Sequence, residues 1–131
     1  MAEAIDQGDA DFYRELWRSA IYNRRKPEPA VLEVHVQETL KQRNLFDVYY
    51  CVAKYNVTDQ FNGFSIGTGE IGRIKVPTIG THGKDDLLVA EKKAEYMTEA
   101  LGGETRLVVW DECGHSPFVD RLDELVALIS G

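Results

Sequence analysis

The most constraining feature of this chain is a pair of short apolar runs, separated by one helical stretch, in its last 58 positions (74–131). Ile74-Lys75-Val76-Pro77-Thr78-Ile79-Gly80-Thr81-His82-Gly83 reads as a buried strand running into a glycine turn, and Arg106-Leu107-Val108-Val109-Trp110 reads as a second strand. Between them, Val89 to Leu101 carries a helical pattern with Ala90, Ala94, Met97 and Leu101 on one face, ended by Gly102-Gly103. A last helix is expected from about Asp120 to Ile129. Strands joined through a helix pair in parallel, with a right-handed crossover. Pro77 suits the start of a strand.

The other half of the chain is helical in pattern. Phe12, Leu16 and Ala20 form one row and Tyr13, Trp17 and Ile21 an adjacent one, a wide apolar face over roughly four turns. Asp9 or Asp11 is placed to cap this helix, Glu15 lies near its positive end, and Pro27 and Pro29 stop it. A second helix is expected from about Ala30 to Arg43, with Leu32, Val36, Thr39 and Leu40 on one side, and an aromatic-rich third from Leu45 to Tyr55. Residues 56–72 lose the periodicity and gather Asn62, Gly63, Gly67, Gly69 and Gly72, so they read as a loop. The expected layout is a helical cap segment over 1–60, a Gly-rich connection over 61–73, and an α/β unit over 74–131. The aromatics Phe12, Tyr13, Trp17, Tyr49, Tyr50 and Tyr55 are expected to pack, some of them lining an apolar pocket under the cap.

Composition narrows the function classes. At 131 residues, 44% hydrophobic and 28% charged, the sequence is that of one folded globular unit and not a disordered or low-complexity chain. Fifteen Lys and Arg against 22 Asp and Glu give a net charge of −7, which disfavours binding to phosphate backbones. No apolar run is long enough to span a bilayer, and the acidic stretch Met1 to Asp11 is not a secretory leader, so a cytoplasmic location is expected. Cys51 and Cys113 lack metal-ligand spacing and are expected to be free thiols.

Parallel strands end at one edge of their sheet, and the loops that follow them converge there. The first such loop reads Gly83-Lys84-Asp85-Asp86, and the second Glu112-Cys113-Gly114-His115-Ser116-Pro117. Asp86 and His115 are therefore expected to meet. A carboxylate beside an imidazole fixes the ring tautomer and supports its protonated form, as a general base requires when it activates a hydroxyl. Blander roles stand beside this one: Asp86, or Asp85, capping the helix that follows, and His115 satisfied by backbone in a turn.

These stretches resemble the C-terminal end of the α/β-hydrolases, in which Gly-x-x-Asp follows a Val-Pro-Thr strand and Gly-His-Ser-Pro follows the next. The matching residues are Val76-Pro77-Thr78, Gly83 to Asp86, and Gly114-His115-Ser116-Pro117. The resemblance implies that Asp86 is the acid and His115 the base of a Ser-His-Asp triad, with no cofactor and no metal. The helical half resembles, more loosely, the cap of prolyl-aminopeptidase-type hydrolases, through Phe12-Tyr13, Arg24-Arg25, Pro27-x-Pro29, Val48-Tyr49 and Asn62-Gly63-Phe64-Ser65-Ile66. That group carries glutamates that bind a substrate amine where this chain has Gly63 and Leu87. The departure shifts the expected substrate toward a small acyl compound without an amine, such as an ester, lactone or amide.

The resemblance places the nucleophile ahead of the cap, on a strained strand-to-helix turn. Gly63-Phe64-Ser65-Ile66-Gly67 has the letters of that motif, but no strand precedes it and no helix follows, so Ser65 reads as a loop serine. Ser116 directly follows His115 and is expected to point elsewhere. The chain is thus expected to be the C-terminal part of a serine hydrolase, inactive alone, that needs the remaining half or self-association, with no nucleic-acid or membrane partner. Three rivals remain: a prolyl aminopeptidase whose amine-binding acids lie elsewhere, Glu70 among them; a non-catalytic interaction module derived from a hydrolase; and a metal-dependent hydrolase using His82, Asp86 and His115. Gly67-x-Gly69-x-x-Gly72 matches a dinucleotide fingerprint in letters only, because it precedes a strand. His35 is expected on the surface of a charged helix.

Overall fold

The computed structural model describes residues 2–131; Met1, where the expected cap segment starts, lies outside the described residues. Seven helices and two strands follow in the order α1 (Ala2–Asp6), α2 (Ala10–Leu16), α3 (Pro29–Leu40), α4 (Leu45–Lys54), β1 (Thr78–Gly83), α5 (Glu91–Ala100), β2 (Thr105–Trp110), α6 (Pro117–Asp120) and α7 (Leu122–Ser130). A wider π-helical turn, Trp17–Ile21, continues α2, and a 3-10 turn spans Glu70–Arg73.

The two α-helical rows of the first half form the main core. Asp9 caps α2, its Oδ1 accepting the Phe12 amide at 2.9 Å. Tyr13, Tyr22, Leu32 and Val36 are buried together with Ala4, flanked by Leu16, Trp17, Ile21, Leu40 and Val119. Arg14 Nη2 pairs with Glu33 at 2.9 Å across α2 and α3. The His35 expectation is corrected here. Its Nδ1 lies 2.7 Å from the Tyr22 hydroxyl and its ring 5.4 Å from Trp17, so it is a half-buried member of an aromatic cluster. The charged neighbours on α3 hid a position that turns toward the α2–α3 interface.

The aromatic expectation holds in part: Tyr13, Trp17 and Tyr49 line an apolar cavity together with Leu16, Ile21 and Val48. Of the six aromatics Phe12, Tyr13, Trp17, Tyr49, Tyr50 and Tyr55, only Tyr13 is fully buried, and Tyr50 and Tyr55 are 63% and 72% exposed. On α4 no residue is buried.

β1 and β2 pair in parallel, from Thr78 opposite Thr105 to Gly83 opposite Trp110, with α5 between them in sequence. This is an α/β arrangement in which the described residues form an incomplete two-stranded sheet. The strand begins at Thr78 and not at Ile74. Pro77 offers no N–H, and the preceding stretch bonds elsewhere: the Ile74 carbonyl accepts from Gly102 N at 3.1 Å. The core-strand pattern is left uncovered in part, with Ile79 46% exposed. Two strands alone are marginal in water, and α5 packs against both of them.

Candidate active site

The two loops beyond β1 and β2 are laced together by backbone. Lys84 N donates to Trp110 O at 3.0 Å, extending the ladder by one step, and Asp85 N donates to Cys113 O at 2.9 Å. Gly83 permits this closeness, because a Cβ there would run into the carbonyl oxygens of Cys113 and Gly114. Glu112 turns the second loop in a left-handed conformation with φ 50°.

Lacing brings Asp86 and His115 together. His115 Nδ1 lies 2.9 Å from Asp86 Oδ2. The other oxygen, Oδ1, accepts the amides of Leu88 at 2.7 Å and Val89 at 3.0 Å. One carboxylate therefore organises the turn ahead of α5 and orients the imidazole, but it does not cap that helix, whose N-cap is Ala90 with no side-chain bond. The Asp86 side chain is 6% exposed and that of His115 35%. Burial pushes the Asp86 carboxyl up, but hydrogen bonds from the Val89 amide, the His115 ring and the Leu88 amide outweigh it and hold the group below its ordinary value. An ionised carboxylate only accepts, so Nδ1 carries a proton, and in the neutral ring Nε2 holds the lone pair. Nε2 meets no hydrogen-bond partner among the described residues.

The other candidates stand apart from this pair. Ser65 Oγ donates to Lys54 O at 2.6 Å, and its amide is held by Asn62 Oδ1 at 2.9 Å, in a loop closed by a bridge between Phe61 and Ile66. Ser116 precedes α6 without a side-chain capping bond. Gly69, at φ 71°, leads into the 3-10 turn and not into an α-helix. His82 is buried at the end of β1. Among the described residues no three His, Cys, Asp or Glu side chains gather as a metal-holding group. No described helix is long and apolar enough to cross a membrane.

Sequence reasoning missed two residues that build the rim. Asp120 is 1% exposed; its Oδ2 accepts Gly114 N and its Oδ1 accepts Arg25 N, both at 2.8 Å. It reads as an ordinary acid at the start of a helix, and nothing in the local pattern marks it. Asn23 donates from Nδ2 to Asp85 O at 2.8 Å, and no periodicity marks it. Cys113 is fully buried beside them, and burial together with the nearby Asp120 pushes its thiol up to about 11.

Fold and rim together define the class: the chain has the fold of the C-terminal part of an α/β-hydrolase. The structure is similar to a 2-hydroxy-6-oxo-6-phenylhexa-2,4-dienoate hydrolase from Rhodococcus sp. strain RHA1, with a TM-score of 0.59 and 22% identity over 92% of this chain and 42% of that one. In sequence it resembles the proline iminopeptidases of Lactobacillus crispatus (strain ST1) and Lactobacillus helveticus (strain DPC 4571), each 37% identical over 62 residues. Those alignments cover 47% of this chain and 20% of each relative. No protein-family profile matches the chain.

Proposed function

We propose that this chain supplies the acid and base of a Ser-His-Asp triad for hydrolysis of an ester, amide or peptide-like acyl bond. The observation that supports this most is the 2.9 Å contact between His115 Nδ1 and Asp86 at the rim where two parallel strands end. In the proposed reaction a serine hydroxyl attacks the substrate carbonyl, and His115 Nε2 takes its proton. The same nitrogen returns the proton to the leaving group, while Asp86 stays ionised and supports the imidazolium. The serine comes from polypeptide beyond these 131 residues. Of the four serines, Ser19, Ser65 and Ser130 donate their hydroxyls to the backbone carbonyls of Glu15, Lys54 and Val126, and Ser116 directly follows His115 in the same loop.

A narrower reading, release of an N-terminal proline, is favoured by the similarity to proline iminopeptidases. Against it stand Gly63 and the exposed Leu87, where amine-binding carboxylates would be expected. Glu70 is engaged by Arg73 at 3.7 Å. Turnover of a proline arylamide against a simple aryl ester separates the two readings.

The test is a fusion of this chain to the N-terminal portion of the Lactobacillus helveticus proline iminopeptidase. The fusion is expected to hydrolyse an aryl ester and take up a fluorophosphonate, and His115→Ala is expected to abolish both. Undiminished hydrolysis in folded His115→Ala overturns the assignment.

A further inference from the structure

We propose that Asp120 is a positioning residue whose buried carboxylate fastens the His115 loop to the strap Asn23–Arg25, so that strap and imidazole are placed together. The proposal rests on the reading of His115 as a base and names what holds that base in register. The strap meets the residue directly ahead of each member of the pair. On one side, Asn23 Nδ2 donates to Asp85 O at 2.8 Å and Arg24 Nε lies 3.3 Å from the Asp85 carboxylate, next to Asp86. On the other, Asn23 Oδ1 occupies the space a Cβ on Gly114 would need, next to His115.

On the Gly114 side Asn23 Oδ1 has no hydrogen-bond partner, and the tie there is made by Asp120. It takes the Arg25 amide on Oδ1 and the Gly114 amide on Oδ2, both at 2.8 Å, across 95 and 6 positions of sequence. At 1% exposure no Lys or Arg side chain forms an ion pair with it among the described residues. A carboxylate buried without a cation is costly and is tolerated here because two backbone donors satisfy it. Both oxygens are needed, since the amide of an Asn offers one acceptor and sets an NH2 against the second N–H. Val119, one residue earlier, packs on the α2–α3 core, so the tie is anchored in the best-buried part of the molecule.

The experiment compares the wild-type chain with Asp120→Asn by amide hydrogen exchange and by nitrogen NMR of His115. Asp120→Asn is expected to speed exchange at Gly114 or Arg25 by about tenfold and to lower the Nδ1–H tautomer fraction of His115, with α2–α3 protection unchanged. Unmoved exchange and tautomer in the folded variant overturn the proposal. In wild type the Gly114 and Arg25 amides are expected to share one opening event with matched protection. Independent opening of the two overturns the proposal even where the variant does not fold. An active His115→Ala fusion would sink the proposed function and leave these readouts standing. A required His115 whose tautomer ignores Asp120 would sink the positioning role alone.

Discussion

Asp86 sits almost wholly out of solvent with one oxygen 2.9 Å from Nδ1 of the part-exposed His115. The buried partner is the one that stays charged, and the exposed partner is the one left with a free nitrogen. Such a division suits an acid that orients and a base that meets a substrate.

The first consequence concerns pH. The Asp86 carboxyl is held below its ordinary value in the folded chain, so its contribution to stability is complete above the ordinary carboxylate pKa. That contribution is lost as pH falls through the lower, folded value. Replacing Asp86 by Ala strips acceptors from Leu88 N, Val89 N and His115 and is expected to cost about 2 kcal/mol at neutral pH. Urea melts of wild type and Asp86→Ala between pH 7 and pH 2 should converge toward the acid end. A constant gap would contradict the linkage.

Gly83 gives a steric prediction. A methyl group there meets two carbonyl oxygens of the backbone of the second loop, which cannot swing aside as a side chain would. Gly83→Ala is expected to destabilise the chain by about 2–3 kcal/mol, read as a drop in urea midpoint at constant slope. An unchanged midpoint would mean that the two loops are not laced as described.

The cysteines should differ sharply in reactivity. Cys113 is fully buried with its thiol pushed up to about 11, whereas Cys51 is exposed. At pH 8 the thiolate of Cys113 is scarce and unreachable. Iodoacetamide followed by peptide mass spectrometry should find Cys51 modified long before Cys113. Equal rates would show that the rim opens readily.

Burial of the helical core makes a further contrast. Val36 has no exposed surface, and Val36→Ala is expected to cost about 2 kcal/mol. Phe46 is 80% exposed on α4, and Phe46→Ala should stay within about 0.5 kcal/mol. Thermal melts of both variants check this, and a larger loss at Phe46 would mean that another surface covers α4.

Much of this was legible in the sequence, because local pattern and turn chemistry report on what is local. Parallel strands follow from two apolar runs flanking one helical period, and of the two caps the sequence offers, Asp9 and Asp11, the structure uses Asp9. The meeting of Asp86 and His115 follows from strand ends sharing an edge. What stayed hidden depends on contacts between distant segments. Asn23 and Asp120 act through backbone groups far away in the chain, which no periodicity encodes. The aromatics of α4 carry a helical period that says a face exists but not what lies against it.

In the neutral ring, Asp86 holds His115 with the proton on Nδ1 and the lone pair on Nε2. Nitrogen NMR of the neutral imidazole measures this directly. A dominant Nδ1–H tautomer is expected in the wild-type chain, with that preference lost in Asp86→Ala. A dominant Nε2–H tautomer in the wild type, or a preference indifferent to Asp86, would contradict it.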